Sequence, residues 1–150
     1  MANRPMENLE RQMPVHVEAA YKDAVDNIIV LKRQQWVATN YALLVYAAIF
    51  VISAEYFSRT DFARNSLGIV AIATFLIHCY VIFVFQRAID KLRSRLYWIY
   101  RTYFSGEEQA GLDLPLGPQL SWAQLEVAAG LVLVSFVGFV LTAIYLWSVR

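Results

Sequence analysis

Residues 67–85 read LGIVAIATFLIHCYVIFVF, and residues 86–104 continue as QRAIDKLRSRLYWIYRTYF without a proline or glycine. The first stretch carries no formal charge, and a helix of its length crosses about 30 Å of hydrocarbon. The second stretch keeps apolar residues at alternating spacings of four and three, which is typical of a coiled coil. These are Phe85, Ile89, Leu92, Leu96, Ile99 and Tyr103. We predict one helix that leaves a bilayer and packs against a second helix in water.

A matching pattern precedes the first apolar run. After Pro14, apolar residues recur at the same spacings, and polar residues lie between them, which predicts an amphipathic helix. The apolar positions are Val17, Tyr21, Ala24, Ile28 and Leu31. Lys32, Arg33 and Trp36 then mark a membrane boundary, where long cationic side chains and an indole reach the headgroups. We therefore place the first span at 37–54.

The rest of the chain supplies a turn, a loop and a third span. We predict a short connection over 58–65, which requires the first two spans to run antiparallel. Glycines, prolines and acids over 105–121 predict a cytosolic loop. Ser121 and Gln124 have the spacing of a capping box, so a third transmembrane helix is expected over 122–150.

These elements define the expected fold class. The chain has 150 residues, of which 59% are apolar and 17% charged, and soluble domains carry more charge. We predict an all-α integral membrane protein with three transmembrane helices. Residues 15–104, with spans at 37–54 and 67–85, would form a long antiparallel helical hairpin extending into the cytosol. Residues 1–14 are predicted to be a mobile N-terminal tail.

Orientation follows from the positive charges. With three spans, one side of the membrane would hold ten of the Lys and Arg residues and the other side three. Because cytoplasmic segments carry the excess of cations, we predict a cytoplasmic N-terminus and an outside C-terminus. The expected location is a plasma membrane, specifically a bacterial inner membrane.

Four cations and a tryptophan occupy one face of the helix after the second span. On a helical wheel they lie opposite the apolar stripe. They are Arg87, Lys91, Arg95, Trp98 and Arg101. One interpretation is contact with lipid headgroups. The other is a docking surface for an acidic cytosolic protein or an anionic ligand.

Four of the polar side chains within the predicted spans are candidates for a pore lining or for helix packing. They are Asn40, Thr74, His78 and Ser135. An ionisable group inside a membrane is costly, so His78 is the sharpest candidate for a proton or ion pathway. Alternatively, His78 is a neutral imidazole that hydrogen-bonds a neighbouring helix through Thr39, Ser135 or a backbone carbonyl.

The sequence lacks the motifs that are typical of several functional classes. No phosphate-binding loop, zinc-protease motif or nucleophile elbow occurs, so we expect no enzyme, no cofactor and no metal site. The single cysteine, Cys79, lies in an apolar run and is expected to pack as a small hydrophobe. A net charge of +1 gives no reason to expect nucleic-acid binding.

The layout resembles the SLATT-type two-span membrane domains of bacteria. The stretches that carry the resemblance are YKDAVDNIIVLKRQQW (21–36) and FQRAIDKLRSRLYWIY (85–100), one on each side of the paired spans. The third span departs from that plan. The resemblance implies a membrane effector, of a pore-forming type, that acts in bacterial conflict systems.

Two functional hypotheses follow. The first is a homo-oligomeric membrane effector or small channel-like assembly with a cytosolic sensing hairpin. The second is a membrane scaffold or adaptor whose cytosolic coiled-coil hairpin recruits a protein partner. The polarity of the membrane-spanning residues distinguishes the two hypotheses. A pore needs a polar lining or a hydrophobic constriction that gates by dewetting.

Overall fold

The computed structural model describes residues 13–56, 61–103 and 122–148, and their regular secondary structure is entirely α-helical. The three helices are α1 (Val15–Tyr56), α2 (Asp61–Tyr103) and α3 (Trp122–Ser148). Each is long enough and apolar enough to cross a membrane. The predicted loop over 105–121, and nearly all of the predicted tail over 1–14, lie outside the described residues.

The first helix begins directly after a proline. The carbonyl of Pro14 accepts hydrogen bonds from the backbone N–H of Val17 at 2.8 Å and of Glu18 at 3.1 Å. The bond from Glu18 is the first i→i−4 bond of the helix, and the bond from Val17 satisfies one N–H group that a helix start leaves without an intrahelical partner. Pro14 therefore caps α1 from the position before its first residue.

The second helix begins earlier than the predicted connection over 58–65 allows. Residues 61–65 are helical, so that prediction was wrong for the second half of the segment. Local charges explain the early start. Asp61 lies in the first turn, where a carboxylate interacts favourably with the helix dipole and stabilises the helix. Arg64 also donates to Asp61 at 2.8 Å, a spacing of three residues that supports a helical turn.

The described residues divide into two compact units, and the first contains residues 13–30 and 88–103. Its core holds residues of the two apolar stripes: Val17, Ala24, Ile89, Leu96 and Ile99 are all buried. Tyr21 and Tyr100 meet edge to face, with ring centroids 5.8 Å apart and hydroxyl oxygens 3.2 Å apart. Apolar burial and one tyrosine pair thus join the α1 and α2 segments of this unit.

The second unit contains residues 31–56, 61–87 and 122–148. Its core cluster draws residues from all three helices, namely Ala42, Tyr46, Ile49, Ala71 and Leu146. Aromatic rings add to it: Phe75 of α2 stacks on Phe139 of α3 with centroids 5.3 Å apart. The outward faces of the same helices carry many exposed large apolar side chains, including Leu44, Leu76 and Ile144. Apolar residues inside and outside are what a lipid-facing bundle requires.

Gly138 permits a close helix contact in this second unit. A Cβ at this position would lie 2.9 Å from Cδ2 of Tyr46 and 3.3 Å from Cδ2 of Leu43. Gly130, two turns earlier on α3, has no such neighbour within 4 Å. The two glycines are equivalent in sequence pattern, but only Gly138 lies where a side chain would collide with α1.

Candidate functional site

A buried polar cluster joins α1 to α2 in the second unit. Thr39 is 2% exposed and His78 is 4% exposed, and Thr39 Oγ1 lies 3.0 Å from His78 Nε2. Of the three partners considered for His78 from the sequence, the structure selects Thr39. The packing of α1 against α2 therefore buries this polar pair away from solvent.

The hydrogen bonds around Thr39 assign the imidazole tautomer. Thr39 Oγ1 donates to the carbonyl oxygen of Gln35 at 2.9 Å. A hydroxyl has one proton, so with that proton committed it can only accept from His78. We infer that His78 Nε2–H donates to Thr39. In a neutral imidazole Nδ1 is then the unprotonated acceptor, and it has no hydrogen-bond partner among the described residues.

Gln35 is a member of this cluster that the sequence analysis missed. It is 3% exposed, and its Nε2 also has no hydrogen-bond partner in the part of the chain that the structure describes. Each buried polar atom without a partner costs about 1–3 kcal/mol, so such atoms are uncommon in folded proteins. The spacing of four residues to Thr39 placed Gln35 on the same face of α1 and was the available signal.

A second polar contact joins α1 to α3. The hydroxyl of Tyr46 lies 3.4 Å from Oγ of Ser135, and both side chains are buried. Thr142 is fully buried and donates to the carbonyl of Gly138 at 2.8 Å. Hydrogen bonds of this kind satisfy polar groups inside a bundle that water does not reach.

The four candidates for a pore lining are not brought together. His78 and Ser135 bond to α1 through Thr39 and Tyr46, as described above. Thr74 is half-buried and donates to the carbonyl of Val70 at 2.8 Å, on its own helix. Asn40 is exposed, and its side chain makes no hydrogen bond among the described residues. Three candidates therefore have their hydrogen bonds within one copy of the chain, and Asn40 faces outward.

The predicted docking residues of α2 are exposed. This holds for Arg87, Lys91, Arg95, Trp98 and Arg101, and Trp98 has 59% of its surface accessible. Arg87 is held in place by an aromatic ring, since its Cζ lies 5.1 Å from the centroid of Phe83. Such a cation–π contact leaves the guanidinium N–H groups able to bind an anion.

Arg93 differs from the other cations of α2. Its side chain is 24% exposed, and its NH1 lies 3.9 Å from Oδ1 of Asp90. Burial lowers the pKa of Arg93, and the nearby charge of Asp90 partly opposes that change. Arg93 is thus a packed residue of α2 and does not belong to the exposed face that carries the predicted docking residues.

An apolar groove of about 480 Å³ runs between α2 and α3 in the second unit. Its lining includes Phe75, Ile82, Phe83, Ala129 and Phe136, and Gln86 is its only side chain with an amide or charge. Small-molecule sites in proteins have volumes of about 300–1,000 Å³, so the groove is large enough for a ligand. Because its lining is apolar, the groove favours an apolar ligand.

Neither metal-ligand geometry nor similarity to known proteins assigns a function to the described residues. Within residues 13–56, 61–103 and 122–148, no three His, Cys, Asp or Glu side chains are placed to hold a metal ion. No family model, curated protein or solved structure matches the chain. The side chains described above offer hydrogen bonds between helices, exposed cations and an apolar groove.

Proposed function

We propose that the chain is a non-enzymatic integral membrane protein that acts as a homo-oligomer, in the manner of an effector or a channel-like assembly. The observation that carries this proposal is the exposure of Asn40. The span that we assign begins at Val37, so Asn40 lies about 5 Å inside it at 1.5 Å per residue. An unpaired amide facing hydrocarbon is costly, and hydrogen bonding between helices removes that cost.

A second copy of the chain is the natural partner for Asn40. In a two-fold symmetric assembly, a residue beside the symmetry axis lies close to the same residue of the second copy, and we propose this position for Asn40. A carboxamide has both donors and acceptors, so two copies of it can bond to each other. Exposed apolar side chains on the same helix, such as Tyr41 and Leu44, would pack around that contact. Assembly would place Asn40 between copies.

A conducting pathway, if the assembly forms one, would lie between copies. His78, Ser135 and Thr74 are engaged in hydrogen bonds within one copy, so they support packing and not a lining. The lining would then consist of Asn40 and apolar side chains. A constriction of this composition gates by dewetting.

For the topology, we propose that α1 and α2 form an antiparallel hairpin whose cytoplasmic part senses a signal. Contacts between α1 and α2 in each unit support the pairing, namely Thr39 with His78 and Tyr21 with Tyr100. The charge asymmetry supports a cytoplasmic N-terminus and an outside C-terminus in a bacterial inner membrane. The SLATT-type resemblance, with its role in bacterial conflict, remains part of this proposal.

Reconstitution of the full chain tests the assembly. We expect wild-type protein in liposomes to cross-link as an oligomer and to pass ions, and Asn40→Leu to reduce both properties. Thr74→Val is the matched control, because it also removes a polar group from a span but one that bonds to its own helix. Equal oligomer and flux for wild type and Asn40→Leu would contradict the proposal.

A scaffold is the second candidate, and the exposure of Trp98 favours it. A tryptophan that is 59% exposed beside the exposed Arg95 and Arg101 suits an acidic protein partner. On this hypothesis liposomes show no ion flux with either the wild-type protein or Asn40→Leu. A cytosolic protein would then cross-link to the chain in cells, and Trp98→Ala would remove that cross-link.

A further inference from the structure

The groove between α2 and α3 is open where α3 carries small side chains. Ala128 and Ala129 line it on one side, and Phe75, Ile82 and Phe83 line it on the other. Two consecutive alanines leave space that larger residues would fill. Its Ala129 side is exposed, so the groove opens on the outer surface of the helices and not into their core.

The length of the groove matches one leaflet of a bilayer. Its lining on α2 extends from Phe75 to Gln86, which is about 16 Å at 1.5 Å per residue. The hydrocarbon core is about 30 Å thick, so one leaflet contributes about 15 Å. An acyl chain that lay along the groove would therefore run from the membrane surface to near the midplane.

The cationic side chain of Arg87 lies near the end of the groove that contains Gln86. Phe83 lines the groove, and the guanidinium of Arg87 sits over its ring at 5.1 Å. Arg87 is exposed and has no ion-pair partner within the described ranges. A guanidinium binds phosphate through two parallel N–H groups, and the contact with Phe83 restricts its position.

We propose that the groove binds one phospholipid, with an acyl chain along Phe75 and Ile82 and its phosphate on Arg87. The proposal rests on the membrane placement proposed above, and it adds a defined lipid site to it. Charge decides between this occupant and a helix from a second copy. An apolar helix would leave Arg87 without a counter-ion, whereas a phosphate neutralises it.

Photolabelling of the full chain in vesicles tests the site. The probes are phosphatidylglycerol and diacylglycerol, each with a diazirine in the middle of one acyl chain, in a phosphatidylcholine bilayer. We expect the phosphatidylglycerol probe to label peptides that contain Phe75–Ile82 or Ala128–Phe136. Arg87→Gln should lower this labelling about fivefold, the effect of ~1 kcal/mol for one cation at a bilayer surface. Labelling by diacylglycerol, which has no phosphate, should be weaker and unchanged by Arg87→Gln.

Two pairs of variants isolate the groove. Ala129→Phe fills it, and Ile144→Phe places the same side chain at an exposed position of α3 outside it. Only Ala129→Phe should reduce labelling. Ala128→Leu is a smaller filling change for use if Ala129→Phe does not fold. Arg95→Gln is the charge control and should leave labelling as it is in wild type.

Three outcomes would overturn the site. The first is label spread evenly over the exposed faces of α1, α2 and α3. The second is an equal effect of Arg87→Gln on both probes. The third is cross-linking between copies through Ala129→Cys with no lipid label in the groove. Resistance of the protein to carbonate extraction is measured on the same vesicles, so failure of membrane insertion is recognised separately.

Discussion

The hydroxyl oxygen of Thr39 lies 3.0 Å from Nε2 of His78, and both side chains are buried between α1 and α2. An imidazole in this position is neutral in our assignment and donates its one N–H to a neighbouring helix. Hydrogen bonds between membrane helices contribute about 0.6–2 kcal/mol each. The contact is therefore strong enough to help pair the helices. This structural role accounts for a buried histidine without an ion pathway.

Substitution at this contact should affect stability and leave pH behaviour unchanged. We expect His78→Asn and Thr39→Val each to lower the unfolding free energy by about 1 kcal/mol, and the double variant to lose less than the sum. Unfolding in detergent measures this, with Thr74→Val as control. Any ion flux should not change between about pH 5 and 8, where imidazole normally titrates. A pH-gated flux that disappears in His78→Asn would show that His78 lines a pathway.

The two glycines of α3 should respond oppositely to alanine. At Gly138 the new Cβ would lie 2.9 Å from a ring atom of Tyr46, which is buried and cannot move freely. Overpacking costs about 1–3 kcal/mol, which exceeds the gain of about 1 kcal/mol in helix propensity. Gly130→Ala meets no neighbour within 4 Å and should be neutral or stabilising. Equal melting temperatures for the two variants would mean that α3 does not approach α1 at Gly138.

The apolar stripe of α2 should be sensitive to charge on one side only. Leu96 is buried at 9% exposure, whereas Arg95 is exposed. Leu96→Asp should lower the unfolding free energy by about 2–4 kcal/mol, because it places a carboxylate among apolar side chains. Arg95→Asp should change it by less than about 0.5 kcal/mol, as for most surface substitutions. Indistinguishable stabilities would show that the stripe is wrongly placed.

The tyrosine pair of the first unit should make stability depend on alkaline pH. Burial, together with the hydrogen bond to Tyr21, raises the pKa of Tyr100 from 10.0 to about 12. The unfolded chain then loses this proton at a lower pH than the folded chain does. The contribution of Tyr100 is fully present below pH 10 and is lost as the pH rises through about 12. Tyr100→Phe should unfold with a shallower decline over this range, and an unchanged decline would contradict the assignment.

The proposed topology can be measured with single cysteines in a Cys79→Ser background. Thr102 and Ser148 are both exposed, so each position is accessible to a reagent on its own side of the membrane. An impermeant thiol reagent outside intact cells should label Ser148→Cys and should label Thr102→Cys only after permeabilisation. The reverse pattern would show that the charge asymmetry misplaced the termini.

Apolar content and periodicity in the sequence were sufficient for an all-helical chain with three candidate spans. A long uncharged run must satisfy its backbone within itself, and a helix is the structure that does so in a single segment. The same spacing identified the buried stripe positions Ala24, Ile89 and Ile99. Such features depend on neighbours along one helix, so the sequence alone contains them.

The contacts between helices were decided by the tertiary structure. Sequence spacing does not say that Gly138 meets Tyr46 while Gly130 meets nothing, or that His78 bonds Thr39 in place of Ser135. Each depends on the rotation and depth at which two distant segments pack, and many residues determine these jointly. The groove beside Arg87 has the same origin, since Phe83 and Ala129 are remote in the chain and face each other only after the helices pack.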